Sequence, residues 1–255
     1  MPGLAEIFVM CFAPAIFWLG FFYDRAKYGA PHSRALLALF LAGLFAGPIS
    51  LLAFQILESF SFYADLTSVH ALEDEATRFA YCVFAIGPVE ELSKFVVAWA
   101  LMFRRREFAS PIDGLTFSAA VGLGFASIEN WYAMLAGEEV LWARAITLPF
   151  VHMLFSSFWG VGLSFARFGS TPAERSFIYA SIPLSFVFHG IYDYITLSDL
   201  VPNLLILPLV LLLWYWLTTS LRRLGRSGSL SQNFRVREEP ATNSDAGEEP
   251  GRPVP

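Results

Sequence analysis

Glu90, Glu91 and Lys94 stand in FAYCVFAIGPVEELSKFVVAWALMF, an apolar run long enough to cross a bilayer. Three further runs of that kind also carry polar groups. Glu129 and Asn130 lie in GLTFSAAVGLGFASIENWYAML, His152 in ITLPFVHMLFSSFWGVGLSFA, and His189 with Asp193 in FIYASIPLSFVFHGIYDYITL. A charge at the middle of a bilayer costs about 2.5–3.5 kcal/mol even on insertion scales, so such residues mark functional sites. Glutamates and histidines on separate helices can hold a water, take its proton and pass it on. That is the chemistry of hydrolysis.

Spacing says more about each group. Pro88 has no N–H, so the Phe84 carbonyl loses its partner and the helix kinks or breaks there. If the helix restarts at Pro88, Glu90 falls in its first turn, where the positive end of the dipole favours a carboxylate. Glu90 and Lys94 are spaced i,i+4 and can pair, while Glu91 points about 100° away. A purely structural ion pair would leave the second carboxylate unexplained. Gly114, Ser118, Gly122, Ala126 and Asn130 recur at i+4, a smooth seam that admits a neighbouring helix closely. Glu129 belongs near the same face. His152 has Ser156 one turn on; a single buried histidine also serves as a satisfied core residue. His189 and Asp193 are i,i+4, so the carboxylate can orient the imidazole or share a ligand with it.

The frame that must position these residues is a membrane protein. The chain has 255 residues, 56% of them hydrophobic and 15% charged, with a mean hydropathy of +0.54; soluble domains carry about 25% charged residues. About seven stretches are long and apolar enough to span: 4–23, 35–57, 79–103, 114–135, 141–166, 176–197 and 203–221. The loops between them alternate in charge. Asp24, Arg25, Lys27 and Arg34, then Arg104, Arg105, Arg106 and Glu107, then Arg167 and Arg175, then Arg222, Arg223 and Arg226 mark one side. Glu58, Asp65, Glu73, Asp74 and Glu75 against Arg78, then Glu138 and Glu139 with Arg144, then Asp199 mark the other. Basic excess marks the cytoplasm, so the N-terminus is expected outside and the C-terminus inside.

The fold class is therefore all-α, a polytopic transmembrane helix bundle in the cell membrane, with the lipid bilayer as its surroundings. Residues 1–221 form its one domain, with the motif-bearing core at 79–197, and 222–255 are a basic and then disordered cytoplasmic tail. The N-terminal MPGLAEIFVM lacks a basic n-region and is expected to stay attached as the first transmembrane helix. Cys11 and Cys82 suggest buried small hydrophobes, not a disulfide or metal motif. No nucleic-acid partner is expected. At about 1.5 Å per residue the polar groups fall roughly 9–17 Å below the outer surface, Glu129 shallowest and Glu90 deepest. Spans running in opposite directions thus converge on one layer.

At these residues the chain resembles the PrsW family of intramembrane proteases, within the group that includes CAAX-processing and Abi-type membrane proteases. The matching pieces are EExxK at Glu90–Lys94, the DG…GLGFAxxEN run from Asp113 to Asn130, His152, and HxxxD at His189–Asp193. Phe117 departs from the tyrosine expected in relatives and removes a hydroxyl there. The resemblance implies hydrolysis of a peptide bond in a membrane-anchored protein, with an anti-sigma-factor-type substrate suggested by the family name. Glu90 or Glu91 would act as general base, and Glu129 belongs to the same site. His152 and His189 would position the water or stabilise the oxyanion, with Asn130 as an amide donor. Lys94 would pair with a glutamate and Asp193 would orient His189. A metal-free site is preferred, because HExxH is absent and the glutamates would otherwise serve as both ligand and base. Zinc on His152, His189 and Glu90 or Glu129 is the alternative.

Two other classes compete. A proton- or ion-coupled transporter also uses intramembrane Glu and His, but calls for an inverted repeat or a pathway open to both sides. A non-catalytic membrane scaffold would leave the acidic residues dispensable.

Overall fold

The structure is a computed structural model that describes residues 3–25, 32–60, 74–102, 106–136 and 142–238. Lys27, Asp65, Glu73, Arg104, Arg105, Glu138 and Glu139, all used above to orient the chain, lie outside the described residues, as do residues 239–255. Every regular element is helical: α1 (Leu4–Arg25), α2 (His32–Ser59), α3 (Glu75–Tyr81), α4 (Gly87–Met102), α5 (Pro111–Leu135), α6 (Trp142–Phe168), α7 (Pro172–Ser176), α8 (Ile178–Leu197) and α9 (Ile206–Glu238). The chain is a multi-pass membrane protein.

Among the described residues, five helices are long and apolar enough to cross a membrane unaided, within α1, α2, α5, α6 and α9. The other two expected stretches fold as α3–α4 and as α8. They fall short of that standard because one is interrupted and both carry the polar residues singled out above. The helix α9 runs on to Glu238, into a stretch expected to be disordered. Extending an established helix fixes one residue per added hydrogen bond, so propagation past the membrane is cheap.

The helices α5 and α6 form the buried axis of the bundle, and they meet along the small-residue seam. A Cβ on Gly122 would stand 2.7 Å from the His152 carbonyl and 2.9 Å from the Ser156 hydroxyl. One on Gly160 would stand 2.6 Å from the Gly114 carbonyl. Backbones this close admit no side chain between them. Asp113 caps the start of α5: its Oδ2 accepts from the backbone N–H groups of Ala109 at 2.9 Å and Ser110 at 2.6 Å. The acid of the DG motif therefore works at the helix end. Phe117 is buried with Phe108 in the core, ring centres 6.4 Å apart, so this position takes no part in the polar cluster.

The irregularity expected at Pro88 is present. Residues Cys82–Ile86 widen into a π turn, and the Gly87 N–H reaches back five residues to the Cys82 carbonyl. The widened turn abuts α8, where a Cβ on Gly190 would meet the Cys82 carbonyl oxygen at 2.5 Å. Cys11 and Cys82 are buried free thiols.

Replacing Gly122 with Leu should force α5 from α6 and cost about 1–3 kcal/mol or more, as overpacking does. Thermal unfolding in detergent reads this, with Gly20→Ala as control because nothing lies within 4 Å of that Cβ position. Equal melting of both variants and the parent would contradict the close α5–α6 approach.

Candidate active site

Four helices bring their polar residues to one place. From α4 come Glu90, Glu91 and Lys94; from α5, Glu129; from α6, His152; from α8, His189 and Asp193. The helix α4 follows directly on the π turn, so Glu90 sits in its first turn as the sequence predicts.

Glu91 is the most constrained group. It is fully buried, and its carboxylate is saturated. Oε1 faces Lys94 Nζ at 2.7 Å and His189 Nδ1 at 3.1 Å; Oε2 accepts from Trp159 Nε1 at 3.0 Å and Ser156 Oγ at 3.3 Å. The expected Glu90–Lys94 pairing is thus secondary, at 3.6 Å against 2.7 Å for Glu91. Both i,i+3 and i,i+4 neighbours of a lysine are within reach on a helix, and burial selects the partner with the better set of bonds. Lys94 is itself fully buried. It also contacts His152 Nδ1 at 2.8 Å and lies 3.9 Å from the centre of the Phe125 ring.

Glu90 has the opposite character. Its Oε2 is buried and makes no hydrogen bond among the described residues, and it stands 3.6 Å from His189 Nε2. Asp193 Oδ2 lies 3.4 Å from the same ring nitrogen, also without hydrogen-bond geometry. His189 is thus bonded through Nδ1 to Glu91, while Asp193, expected to orient it, lies beside Nε2. Across the cluster, Glu129 Oε2 lies 2.8 Å from His152 Nε2, without hydrogen-bond geometry among the described residues, while its Oε1 accepts from Arg144 at 3.1 Å. The two imidazoles are nearly perpendicular, 5.0 Å between centres, and Phe155 stacks on His189 at 4.7 Å.

Asn130 is not drawn in by any bond. It is fully buried, and neither amide atom has a hydrogen-bond partner among the described residues. It sits about 100° around α5 from Glu129, in register with Ala119, Leu123 and Ala126, which belong to the main apolar core.

Donor and acceptor capacity assigns the two histidines different states. An ammonium only donates, so His152 Nδ1 accepts from Lys94 and the ring's proton lies on Nε2, on the side of Glu129. A carboxylate only accepts, so His189 Nδ1 carries a proton toward Glu91, and in the neutral ring Nε2 presents a lone pair. His189 Nε2, Glu90 Oε2 and Asp193 Oδ2 then form a nest of three acceptors, two of which one water could satisfy. Four carboxylates (Glu90, Glu91, Glu129, Asp193) face two permanent cations (Lys94, Arg144), so protons or a further cation must balance the rest.

Ligand atoms of Glu90, His152 and His189 all lie within 4.8 Å of one another, so small shifts would let the three converge on a metal ion. Glu90 fits, and His189 fits with its Nδ1 held by a carboxylate, the usual support of a metal-bound imidazole. His152 fits only if its proton moves to Nδ1, which the Lys94 contact opposes.

Trp159 and Arg144 are the partners that the motifs do not announce, whereas Phe125 stands within the GLGFAxxEN run and Ser156 one turn from His152. His152, Ser156 and Trp159 stand at i, i+4 and i+7, one face of α6. That periodicity is the one signal that could have found Trp159.

Two variants separate the carboxylates by stability. Lys94→Met leaves Glu91 buried without its cation and should cost about 3–5 kcal/mol. Glu90→Gln removes a carboxylate that has no hydrogen bond and should melt like the parent or higher. Scanning fluorimetry in detergent measures both, and a destabilised Glu90→Gln beside an unaffected Lys94→Met would reverse the two assignments.

A family profile described as PrsW family intramembrane metalloprotease matches residues 31–218. The chain is 32% identical over 187 residues to Protease PrsW of Geobacillus kaustophilus (strain HTA426), covering 73% of this chain and 77% of that protein. It is 28% identical over 203 residues to Protease PrsW of Oceanobacillus iheyensis, covering 79% and 88%. With Protease PrsW of Bacillus subtilis (strain 168) the identity is 27% over 211 residues, covering 80% and 88%. No solved structure matches the chain significantly.

Proposed function

The chain belongs to the PrsW family of membrane proteases, and from that premise we propose that the polar cluster hydrolyses a peptide bond of a membrane-anchored protein, with Glu90 activating the water. The observation that carries this reading is the contrast between the glutamates: Glu91 is saturated, and Glu90 Oε2 is buried and unbonded beside a histidine lone pair.

A water seated on Glu90 Oε2 and His189 Nε2 gives both its hydrogens to acceptors, which raises the electron density on its oxygen. As that oxygen bonds to the scissile carbonyl carbon, Glu90 takes a proton. The carbonyl oxygen gains charge, and the N–H of His152 Nε2 is a donor for it, supported by the Lys94 ammonium behind the ring. Glu90 then delivers its proton to the leaving nitrogen as the C–N bond breaks. Glu91 and Trp159 hold the frame. Arg144 keeps Glu129 at the edge of the site, where Glu129 can draw His152 into line.

Substrate entry follows from depth. Glu129 is six residues from the end of α5 and His189 eight from the end of α8, about 9–12 Å along the axis. A helical substrate hides its amides in i→i−4 bonds and unwinds most easily near its end. The cut therefore falls near the outer end of the substrate's span, on the acidic-loop side. A single-span regulator of anti-sigma-factor type fits that class.

A metal-based reading has its own support in the 4.8 Å cluster of Glu90, His152 and His189 and in the family's description. A zinc ion bound there would polarise the carbonyl and acidify a water. In that case Glu90 is a ligand and Glu129 holds the travelling proton.

With a co-expressed membrane-anchored reporter, Glu90→Gln should lower cleavage about 10²-fold or more at unchanged protein level. Normal cleavage by this variant would overturn the assignment of Glu90 and leave the transporter and scaffold readings standing. Metal analysis of the purified chain decides the rest: stoichiometric zinc lost in both His152→Ala and His189→Ala would establish the metal-based reading. Cleavage that persists in protein stripped by a permeant chelator would exclude it.

A further inference from the structure

About three turns along α6 from His152, toward the arginine-rich end of the bundle, a cavity of about 380 Å³ opens between α6, α7 and α9. Its wall is apolar, with Val161, Phe165, Phe177 and Trp216. Its remaining lining includes Glu174, Ser220 and Arg223, one acid, one hydroxyl and one base. We propose that this cavity binds a zwitterionic aminophospholipid, phosphatidylethanolamine, with the phosphate on Arg223 and Ser220, the ammonium on Glu174 and the upper acyl region against the aromatic wall.

The two charges are held at a fixed separation. Arg223 Nη2 donates to Glu174 Oε1 at 3.2 Å, and the guanidinium also lies 5.2 Å from the Phe165 ring centre. Glu174 is anchored from behind: its Oε2 accepts from the Ser170 N–H at 2.9 Å, the Ser170 hydroxyl at 2.8 Å and the Thr171 N–H at 3.3 Å. Those bonds hold its carboxyl below the usual carboxylate range, so it stays charged at neutral pH. Both groups stay reachable, with 64% of the Arg223 side chain and 25% of the Glu174 side chain exposed. An exposed ion pair contributes little by itself, so a headgroup carrying both charges can insert between the two at small cost.

The wall selects a lipid over a free headgroup. Trp216 stacks on Phe158 at 3.9 Å, and indole rings favour the headgroup level of a bilayer. Most of the apolar part of α9 is unburied, so lipid surrounds the cavity on that side. The charges select among lipids. Phosphatidylglycerol would place Glu174 beside an anionic headgroup with no compensating cation. Phosphatidylcholine has no N–H to give Glu174. The cavity lies outside the carboxylate cluster, and its occupancy is independent of the hydrolytic reading.

Native mass spectrometry of the full chain, released from mild detergent with equimolar phosphatidylethanolamine, phosphatidylglycerol and phosphatidylcholine, tests this. The parent chain should retain one phosphatidylethanolamine in about fivefold preference to either competitor, the upper range for partly exposed charge pairs. Glu174→Gln should erase the preference over phosphatidylcholine. Arg223→Ala should lower retention of every phospholipid, and Arg223→Lys should restore it. Soluble glycerophosphoethanolamine should not compete. Equal retention of the three lipids by the parent, a preference untouched by both Glu174→Gln and Arg223→Ala, or displacement by the soluble headgroup would each overturn the proposal. Melting curves of the variants identify any loss that comes from unfolding.

Discussion

A carboxylate and an ammonium buried together inside a membrane protein hold this site in place. Glu91 and Lys94 are both fully enclosed, 2.7 Å apart. Removing two charges from water is expensive, and their mutual attraction offsets that only when the remaining bonding capacity is also met. Here it is met by other helices: Trp159 and Ser156 from α6, His189 from α8, and His152 on the ammonium. The pair therefore ties α4, α6 and α8 into one arrangement. Either charge left alone would be intolerable at that depth, so each must find these partners for the bundle to close.

The backbone yields to that requirement. Pro88 withholds a hydrogen bond just before the two glutamates, and the chain absorbs the loss in the Cys82–Ile86 π turn instead of breaking. Gly190 lets α8 lie against that turn, and Gly122 lets α5 lie against His152. Small residues at these crossings bring the two histidines within bonding distance of the α4 residues and Glu129 within 2.8 Å of His152. Bulkier ones would hold the helices apart by more than a hydrogen bond can bridge.

The second consequence is chemical. The two histidines are alike in sequence and in burial, yet one faces an ammonium and the other a carboxylate. In the neutral rings their outward nitrogens become donor and acceptor respectively, and the proposed hydrolytic mechanism draws on that asymmetry. Acceptors gather around Glu90 on one side, while donors gather around Glu129 on the other. The excess of carboxylates over fixed cations makes the centre receptive to protons or a cation, whichever chemistry the site uses.

The sequence by itself determined the helical membrane class, the polar residues that share one layer, and the weak point at Pro88. These follow from hydropathy, from the cost of intramembrane charge and from the missing N–H of proline, all local properties. It also determined the small-residue seam, because i+4 spacing places those residues on one face of any helix. Only the tertiary structure decided which glutamate is saturated and which is left open. At i+3 and i+4 from Lys94 both are within reach, and the choice depends on Trp159 and His189 arriving from elsewhere in the chain. The same holds for Asn130, adjacent to Glu129 in sequence yet with neither amide atom hydrogen-bonded among the described residues. It holds for His189, whose Nδ1 meets Glu91 while Asp193 lies at Nε2. Neighbours along a helix diverge by about 100° per residue, so adjacency in a motif says nothing about which face meets the site until the helices are packed.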